Sequence, residues 1–366
     1  MNQYSASVPL SQRQYYRPNE TVDFTLSAGV GMAIVANSIR ICGQVIFTGD
    51  TTAANPAPSI TNTTTVFLDG MVGAHGFFKQ IVVETQQQGV LQNLQDYPRC
   101  IADIKNATKT PDMVLNSDQK ALCTGNSAYS CNIVGSQTPA NPGANPPVPV
   151  GIPPSFCINP EVCINRTRGV SIQYSKTGDI KLNLVLNSAR GCMFGAGLVN
   201  NAGFVLQNLE CHYKVVPDQL AKPVKELQMM TMASVKAVAD GSLAAFNIVS
   251  PIPSYALSAN FIALANETAA GANSLLLESV PGLSRVELTF QDTNNQIIQF
   301  PLENLVEIYK FWVDSYGSTR YNPSAGSCIG VAYNQVLSNT KFGVVIQSGI
   351  AASTAVYFVF KGMITI

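Results

Sequence analysis

Two histidines and nine cysteines are the residues best equipped for chemistry in this chain of 366 residues. His75 stands in the run Gly73-Ala-His-Gly76, ahead of a strand-like segment, and His212 directly follows Cys211 inside another. An imidazole can act as a general base or a metal ligand. Neither histidine has a partner at ligand spacing, so both are read as filling hydrogen-bonding slots. The cysteines lie at positions 42, 100, 123, 131, 157, 163, 192, 211 and 328. Seven residues separate Cys123 from Cys131 and five separate Cys157 from Cys163, and neither gap matches the C-x(2–4)-C knuckle of a tetrahedral zinc site. Their clustering in one loop leaves open free thiols, disulfides formed after cell lysis that staple the loop, or a metal; free thiols are preferred. Cys42, Cys192, Cys211 and Cys328 read as small buried apolar residues.

Other chemistry finds little support. No dinucleotide, Walker, nucleophile-elbow, HExxH or EF-hand pattern occurs. Gly191-Cys-Met-Phe-Gly195-Ala-Gly197 follows a strand but opens into another loop, so it offers no helix N-terminus for a phosphate and reads as a β-turn. Glu84 and Glu287 fall in equivalent strands of different halves, too far apart in expectation for a glycosidase dyad. Trp312, the single tryptophan, reads as a core anchor. No catalytic, cofactor-binding or metal residue is assigned, no cofactor is expected, and the chain is not read as an enzyme.

Composition narrows the class further. Charged residues make up 12% of the chain, with 22 basic and 22 acidic side chains, about half the usual ~25%. An apolar content of 46% excludes a disordered chain, and the absence of a basic excess argues against a nucleic-acid binder. Zero net charge works against solubility as free particles, which points to life in an assembly. The first twenty residues lack the apolar core of a signal peptide, and no apolar run approaches the ~20 residues of a membrane-spanning helix. Synthesis in the cytoplasm is therefore expected, where thiols stay mostly reduced and the five Asn-X-Ser/Thr sequons carry little meaning.

The elements that would position these residues are mostly strands. Residues 1–20 read as a polar arm. Val22 to Leu26, Ser38 to Phe47 (with a slip at Gly43), Phe77 to Thr85, Val170 to Tyr174, Ile180 to Leu186 and Phe204 to Val216 show strand patterning. In the last of these Val205, Cys211, Tyr213 and Val215 are assigned to one face. Leu94 to Ile104 reads as a helix with Pro98 near its start, where a missing N–H is tolerated. Lys109 to Arg168 reads as a long inserted loop, rich in proline and cysteine. After a linker at Pro217 to Pro223, further strands are expected at Ala245 to Val249, Ala259 to Ala265, Val286 to Phe290, Ile297-Ile298, Ile329 to Tyr333, Phe342 to Gln347 and Ala355 to Ile366.

One internal repeat organises the list. Strand, polar turn, apolar pair and helix follow in order from Gln80 to Ile104. The same order returns from Arg285 to Val313, where Leu302, Leu305, Val306, Tyr309 and Val313 line one helical face. Duplicated short-stranded units with one helix each fit two tandem jelly-roll β-sandwiches. The divisions expected are an arm at 1–20, a first roll at 21–217 carrying the insertion at about 109–168, and a second roll at 218–366.

On Phe67 to Arg99, its counterpart Ser284 to Trp312, and the closing segment Gly178 to Val216, the sequence resembles the double jelly-roll major capsid proteins of tailless icosahedral DNA viruses, the adenovirus–tectivirus lineage. The resemblance implies a structural virion protein forming trimeric pseudo-hexagonal capsomers. Its partners would be two further copies of itself, neighbouring capsomers, penton and minor capsid proteins and, where one lies under the shell, an internal lipid membrane; the arm with Arg13 and Arg17 would face inward, toward such a membrane or neighbouring capsomers, and no sequence-specific nucleic acid is implied. Two alternatives stay open: a penton or minor capsid protein with a single jelly roll plus an insertion, and a carbohydrate-binding adhesive β-sandwich.

Overall fold

The structure is a computed structural model, and it describes residues 3–56, 66–70, 72–108, 130–132, 155–167, 171–195, 198, 201–220, 226–238, 245–251, 253–264, 275, 285–291, 297–302, 328–332, 341–347 and 355–366. Of the expected second helix, Leu302 instead ends a strand, Ile297–Leu302, and the rest, with Trp312, lies outside these residues, as do Cys123 and most of the inserted loop.

In the first half the strands run β1 (Gln3–Ser7), β2 (Thr21–Leu26), β3 (Met32–Ile34), β4 (Arg40–Thr48), β5 (Phe67–Asp69), β6 (Phe78–Thr85) and β7 (Gly89–Leu94). Helix α1 (Tyr97–Thr108) follows, then β8 (Ser130–Asn132), β9 (Ser155–Ile158), β10 (Ile172–Gln173), β11 (Ile180–Leu186), β12 (Met193–Phe194) and β13 (Gly203–Pro217). The second half holds β14 (Gln228–Val238), β15 (Ala245–Pro251), β16 (Ala256–Leu264), β17 (Arg285–Gln291), β18 (Ile297–Leu302), β19 (Cys328–Ala332), β20 (Lys341–Gln347) and β21 (Ala355–Thr365).

The sheets show the duplication directly. In the second half the pairing orders are β14-β21-β16-β19 and β15-β20-β17-β18. Counted along that half, these are strands 1-8-3-6 and 2-7-4-5. In the first half β1 pairs β13, which pairs β4, which pairs β9, and the facing sheet runs β2-β11-β6-β7. With the small strands β3, β5, β8, β10 and β12 set aside, that is again 1-8-3-6 against 2-7-4-5. All these pairings are antiparallel. Two eight-stranded jelly rolls in one chain follow, which removes the single-roll alternative.

Period-2 burial explains why these segments are strands. In β2, Val22, Phe24 and Leu26 are buried while the residues between them are not, and β11 alternates the same way. Across the sheet Phe24 lies opposite Leu182, and Leu182 opposite Val83, so each row points one apolar layer inward. Phe77 sits between the sheets with its ring 4.7 Å from that of Phe204, 5.7 Å from Phe156 and 6.4 Å from Phe47.

Several expectations need correction. Gln3–Ser7, expected to belong to a polar arm, forms the first strand of the first roll, paired from Gln3↔Val215 to Ser7↔Cys211; its polarity reflects an exposed edge position. Arg17 also ties this region down, donating from Nε to the Thr51 carbonyl at 2.9 Å and from Nη2 to the Ala53 carbonyl at 2.8 Å. The slip expected at Gly43 is absent: Gly43 lies buried in the inward row with Ile41, Val45 and Phe47. A β-carbon there would stand 2.7 Å from Leu209 Cδ2 and 3.0 Å from the Phe156 ring, so glycine is what fits.

The irregularity lies in the partner strand. A bulge between Gln207 and Glu210, with Asn208 at φ 50, switches which side of β13 faces inward. Phe204 and Leu206 line the core before it, and Leu209, Cys211, Tyr213 and Val215 after it. Val205 therefore does not share a face with Cys211, as had been expected. The end of the inserted segment is not loop either: β9 pairs with β4, and Phe156, Ile158, Val162, Cys163 and Ile164 are buried. The helix begins at Tyr97, not Leu94, because Leu94 still pairs with Ile81 in the β6–β7 hairpin. Strand β14 was not anticipated at all.

Candidate functional site

The two rolls meet at a buried seam. Helix α1 and hairpin strand β7 of the first roll pack against β14 and β21 of the second. Leu227, Met229, Met232, Tyr357 and Val359 belong to the same buried cluster as the first roll's core. Along β21, Tyr357 and Val359 face the first roll, and Phe358 and Phe360, stacked at 6.4 Å, alternate to the opposite side. All four are fully buried, which accounts for a strand sequence without polar alternation.

The seam is polar as well as apolar. Asp103 of α1 is fully buried and lies 3.5 Å from Lys361 Nζ of β21. The Arg99 guanidinium stands 4.6 Å from the centre of the Tyr357 ring, within cation–π range. Gln92 donates from Nε2 to the Met232 carbonyl at 3.1 Å and accepts from the Cys163 amide at 2.9 Å, binding hairpin, inserted segment and second roll with one buried side chain. Ser234 donates to the Gln95 carbonyl, and the Met230 amide donates to the Arg166 carbonyl at 3.2 Å. Directional contacts of this kind fix orientation in a way that apolar burial alone does not.

The residues singled out for chemistry are dispersed. His75 is buried in a one-turn 3₁₀ segment, Gly73–Phe77, with Nδ1 2.7 Å from the Tyr97 hydroxyl. Tyr97 is the first residue of α1, so the histidine anchors the helix start. His212 lies on the outer face of β13, its Nε2 2.8 Å from Glu210. Glu84 and Glu287 occupy the fourth strand of the first and second rolls respectively. Gly191 falls in a single helical turn, Ala189–Cys192, whose start is capped by Ser188 accepting from the Gly191 amide, where a β-turn had been expected. Among the described residues no cluster of three or more His, Cys, Asp or Glu side chains could hold a metal, and no helix is long and apolar enough to cross a membrane.

The cysteines divide by environment. Cys100, Cys163 and Cys211 are buried, and burial pushes each thiol up to about 12; Cys192 is raised by burial too. Cys42 departs from the buried, apolar role expected for it. It points out of the sheet, half-exposed, opposite Cys157 on β9. Sequence spacing had grouped Cys157 with Cys163; the structure puts Cys157 on the exposed side of β9 and Cys163 in a separate buried 3₁₀ turn, Cys163–Asn165, and gives Cys157 a partner 115 residues away.

Exposed apolar residues mark the outer surface. Tyr4 is 75% exposed, Leu10 63% and Val30 89%, with Val8, Val90, Met230 and Val235 also open. Three of these, Tyr4, Val8 and Leu10, fall close together in the N-terminal segment.

No protein-family sequence profile matches the chain, and no curated protein matches it by sequence. Its structural likenesses are extensive. The VP54 protein of PBCV-1, as fitted into a reconstruction of the virophage Sputnik, superposes with a TM-score of 0.61 at 9% identity, over 100% of this chain and 94% of the other. The Faustovirus major capsid protein gives 0.58 at 10% identity, over 100% and 90%. A chain of the Sputnik virophage particle gives 0.59 at 12% identity, over 100% and 86%. The fold is thus that of the double jelly-roll capsid proteins, matched across the whole chain.

Proposed function

We propose that this chain is the major capsid protein of an icosahedral virus and that three copies form a pseudo-hexagonal capsomer. The observation that carries the reading is the repeated strand order, 1-8-3-6 against 2-7-4-5, in two rolls joined by a buried seam. A trimer of such chains sets six similar modules around one axis. Low charge and exposed apolar side chains suit surfaces that are covered by copies of the same protein.

In this reading the chain divides into rolls at about residue 217, and the first roll takes in the N-terminal segment. Synthesis takes place in the host cytoplasm and the mature location is the virion. Its further partners are neighbouring capsomers, penton and minor capsid proteins and, where one underlies the shell, an internal lipid layer. Interfaces of this obligate kind bury ~2,000 Å² or more, and their symmetry is closed.

Light scattering on size-exclusion-purified protein tests the assignment. A mass three times 39.1 kDa is expected. A monomer at high concentration, or a pentamer as for a vertex protein, would overturn it.

A further inference from the structure

We propose that Cys42 and Cys157 form a dithiol site that closes into a cross-strand disulfide, clamping the edge strand β9 to β4. The two residues are direct partners in the antiparallel ladder. Directly opposite residues in such a ladder have Cα atoms about 4.5–5.5 Å apart, inside the span a disulfide bridges. The sulfurs stand 2.7 Å apart, so only side-chain rotation separates them from bonding distance. Both lie on the solvent-facing side of the sheet, with Cys157 exposed and Cys42 half-exposed.

The surroundings favour reaction at this pair over the other described thiols. Cys42 donates its S–H to Cys157, and this donation, aided by Arg40 and His212, draws the Cys157 thiol down to about 6 against the opposing effect of burial. Sharing that proton pushes Cys42 up. Cys157 is therefore the attacking thiolate. Cys100, Cys163, Cys192 and Cys211 are buried within the fold.

The oxidant is a low-molecular-weight disulfide of the glutathione class. Cys157 thiolate attacks one of its sulfurs, forming a mixed disulfide and releasing one thiolate. Cys42 then gives up its proton to solvent and attacks Cys157 Sγ, releasing the second thiol. One S–S bond forms in the protein as one is lost from the oxidant, and two electrons leave the protein. The clamp secures a four-residue edge strand held, among the described residues, by a single neighbour. Thiols persist in a reducing compartment, and the bond forms outside it. This inference stands independently of the capsid reading.

The test is oxidation of the full-length protein with oxidised glutathione, followed by non-reducing peptide mapping. A peptide pair joined through residues 42 and 157, two hydrogens lighter than the sum of its parts, is expected. The oxidised protein should melt higher by roughly 5–10 °C, reversed by dithiothreitol. In Cys42→Ser protein, Cys157 should instead retain a glutathione adduct. Both residues remaining alkylatable, both carrying separate adducts, or either bonding to a different cysteine in the wild-type chain would overturn the proposal, whether or not the variant folds.

Discussion

Replacing Asp103 by Asn should loosen the joint between the rolls. The substitution conserves volume in a fully buried position, so it removes the charge without opening a cavity. Breaking a wholly buried ion pair by removing one partner costs about 3–5 kcal/mol. Here Lys361 keeps 21% of its side chain exposed and the ions are 3.5 Å apart, so water recovers part of the loss and about 2–3 kcal/mol is expected. At ~2–4 °C per kcal/mol for a unit of 150–250 residues, calorimetry should show a melting point lower by about 4–12 °C. The single substitution also disturbs Asp103's other contacts. A double-mutant cycle with Lys361→Met separates them and should give a coupling of about 1–2 kcal/mol. Because the pair is largely shielded from solvent, most of that coupling should persist at high salt, where the Debye length is short. An unchanged melting point, or additivity within about 0.5 kcal/mol, would refute the view that this ion pair orients the rolls.

Two other predictions probe the first roll. Gly43→Val would force a side chain into the space held by Leu209 and Phe156, costing about 1–3 kcal/mol of overpacking; an unshifted urea midpoint would contradict the fit described for that row. Iodoacetamide reacts with thiolates, so labelling of Cys157 under reducing conditions should be half-maximal near pH 6, following its lowered thiol, and should fall at lower pH as the thiolate takes up a proton. Cys100, Cys163 and Cys211, held up at about 12, should stay unlabelled at pH 8. A midpoint for Cys157 near the ordinary thiol value of about 8.5 would show that Cys42, Arg40 and His212 do not act on it.

The alternating segments were legible in the sequence because one buried face imposes a period of two, and β2, β6 and β11 fall where that period places them. What stayed hidden has identifiable causes. Strand β14 reads QMMTMASVKAV, with methionine, alanine and lysine in place of β-branched residues; its strand state comes from pairing with β21 along its full length, a tertiary effect that propensity does not carry. Strand β1 looks like a tail because none of its five residues is buried, so no apolar face shows in QYSAS, and its partner, β13, lies some two hundred positions on. The bulge at Asn208 reverses a face within one strand, and no alternation count across Phe204 to Val216 can reveal that. The site was the least legible part. Asp103, Arg99 and Gln92 are ordinary helix and hairpin residues in the sequence, and only the docking of the second roll makes them a joint. Cys42 and Cys157 become neighbours only once the inserted segment returns to the sheet.

The seam also bears on why a shell protein would carry two rolls in one chain. Two identical rolls from separate chains form a closed pair only through a symmetric contact, the same patch on both. The contact seen here is asymmetric: α1 and β7 of one roll meet β14 and β21 of the other. Such a contact repeated between separate copies would propagate head to tail, and unless its rotation closed it would grow into a filament. Covalent linkage confines it to one pair per chain and frees the remaining edges for neighbours. The two rolls can then diverge in sequence and insertions, as the segment after Lys109 does, while their common strand order keeps their outlines alike. Approximate sixfold packing from three copies requires that likeness of outline and a fixed angle between the rolls. If three copies pack as proposed, the buried polar contacts of the seam supply that angle, and Asp103 and Lys361 then matter more for assembly than their place in either roll alone would suggest.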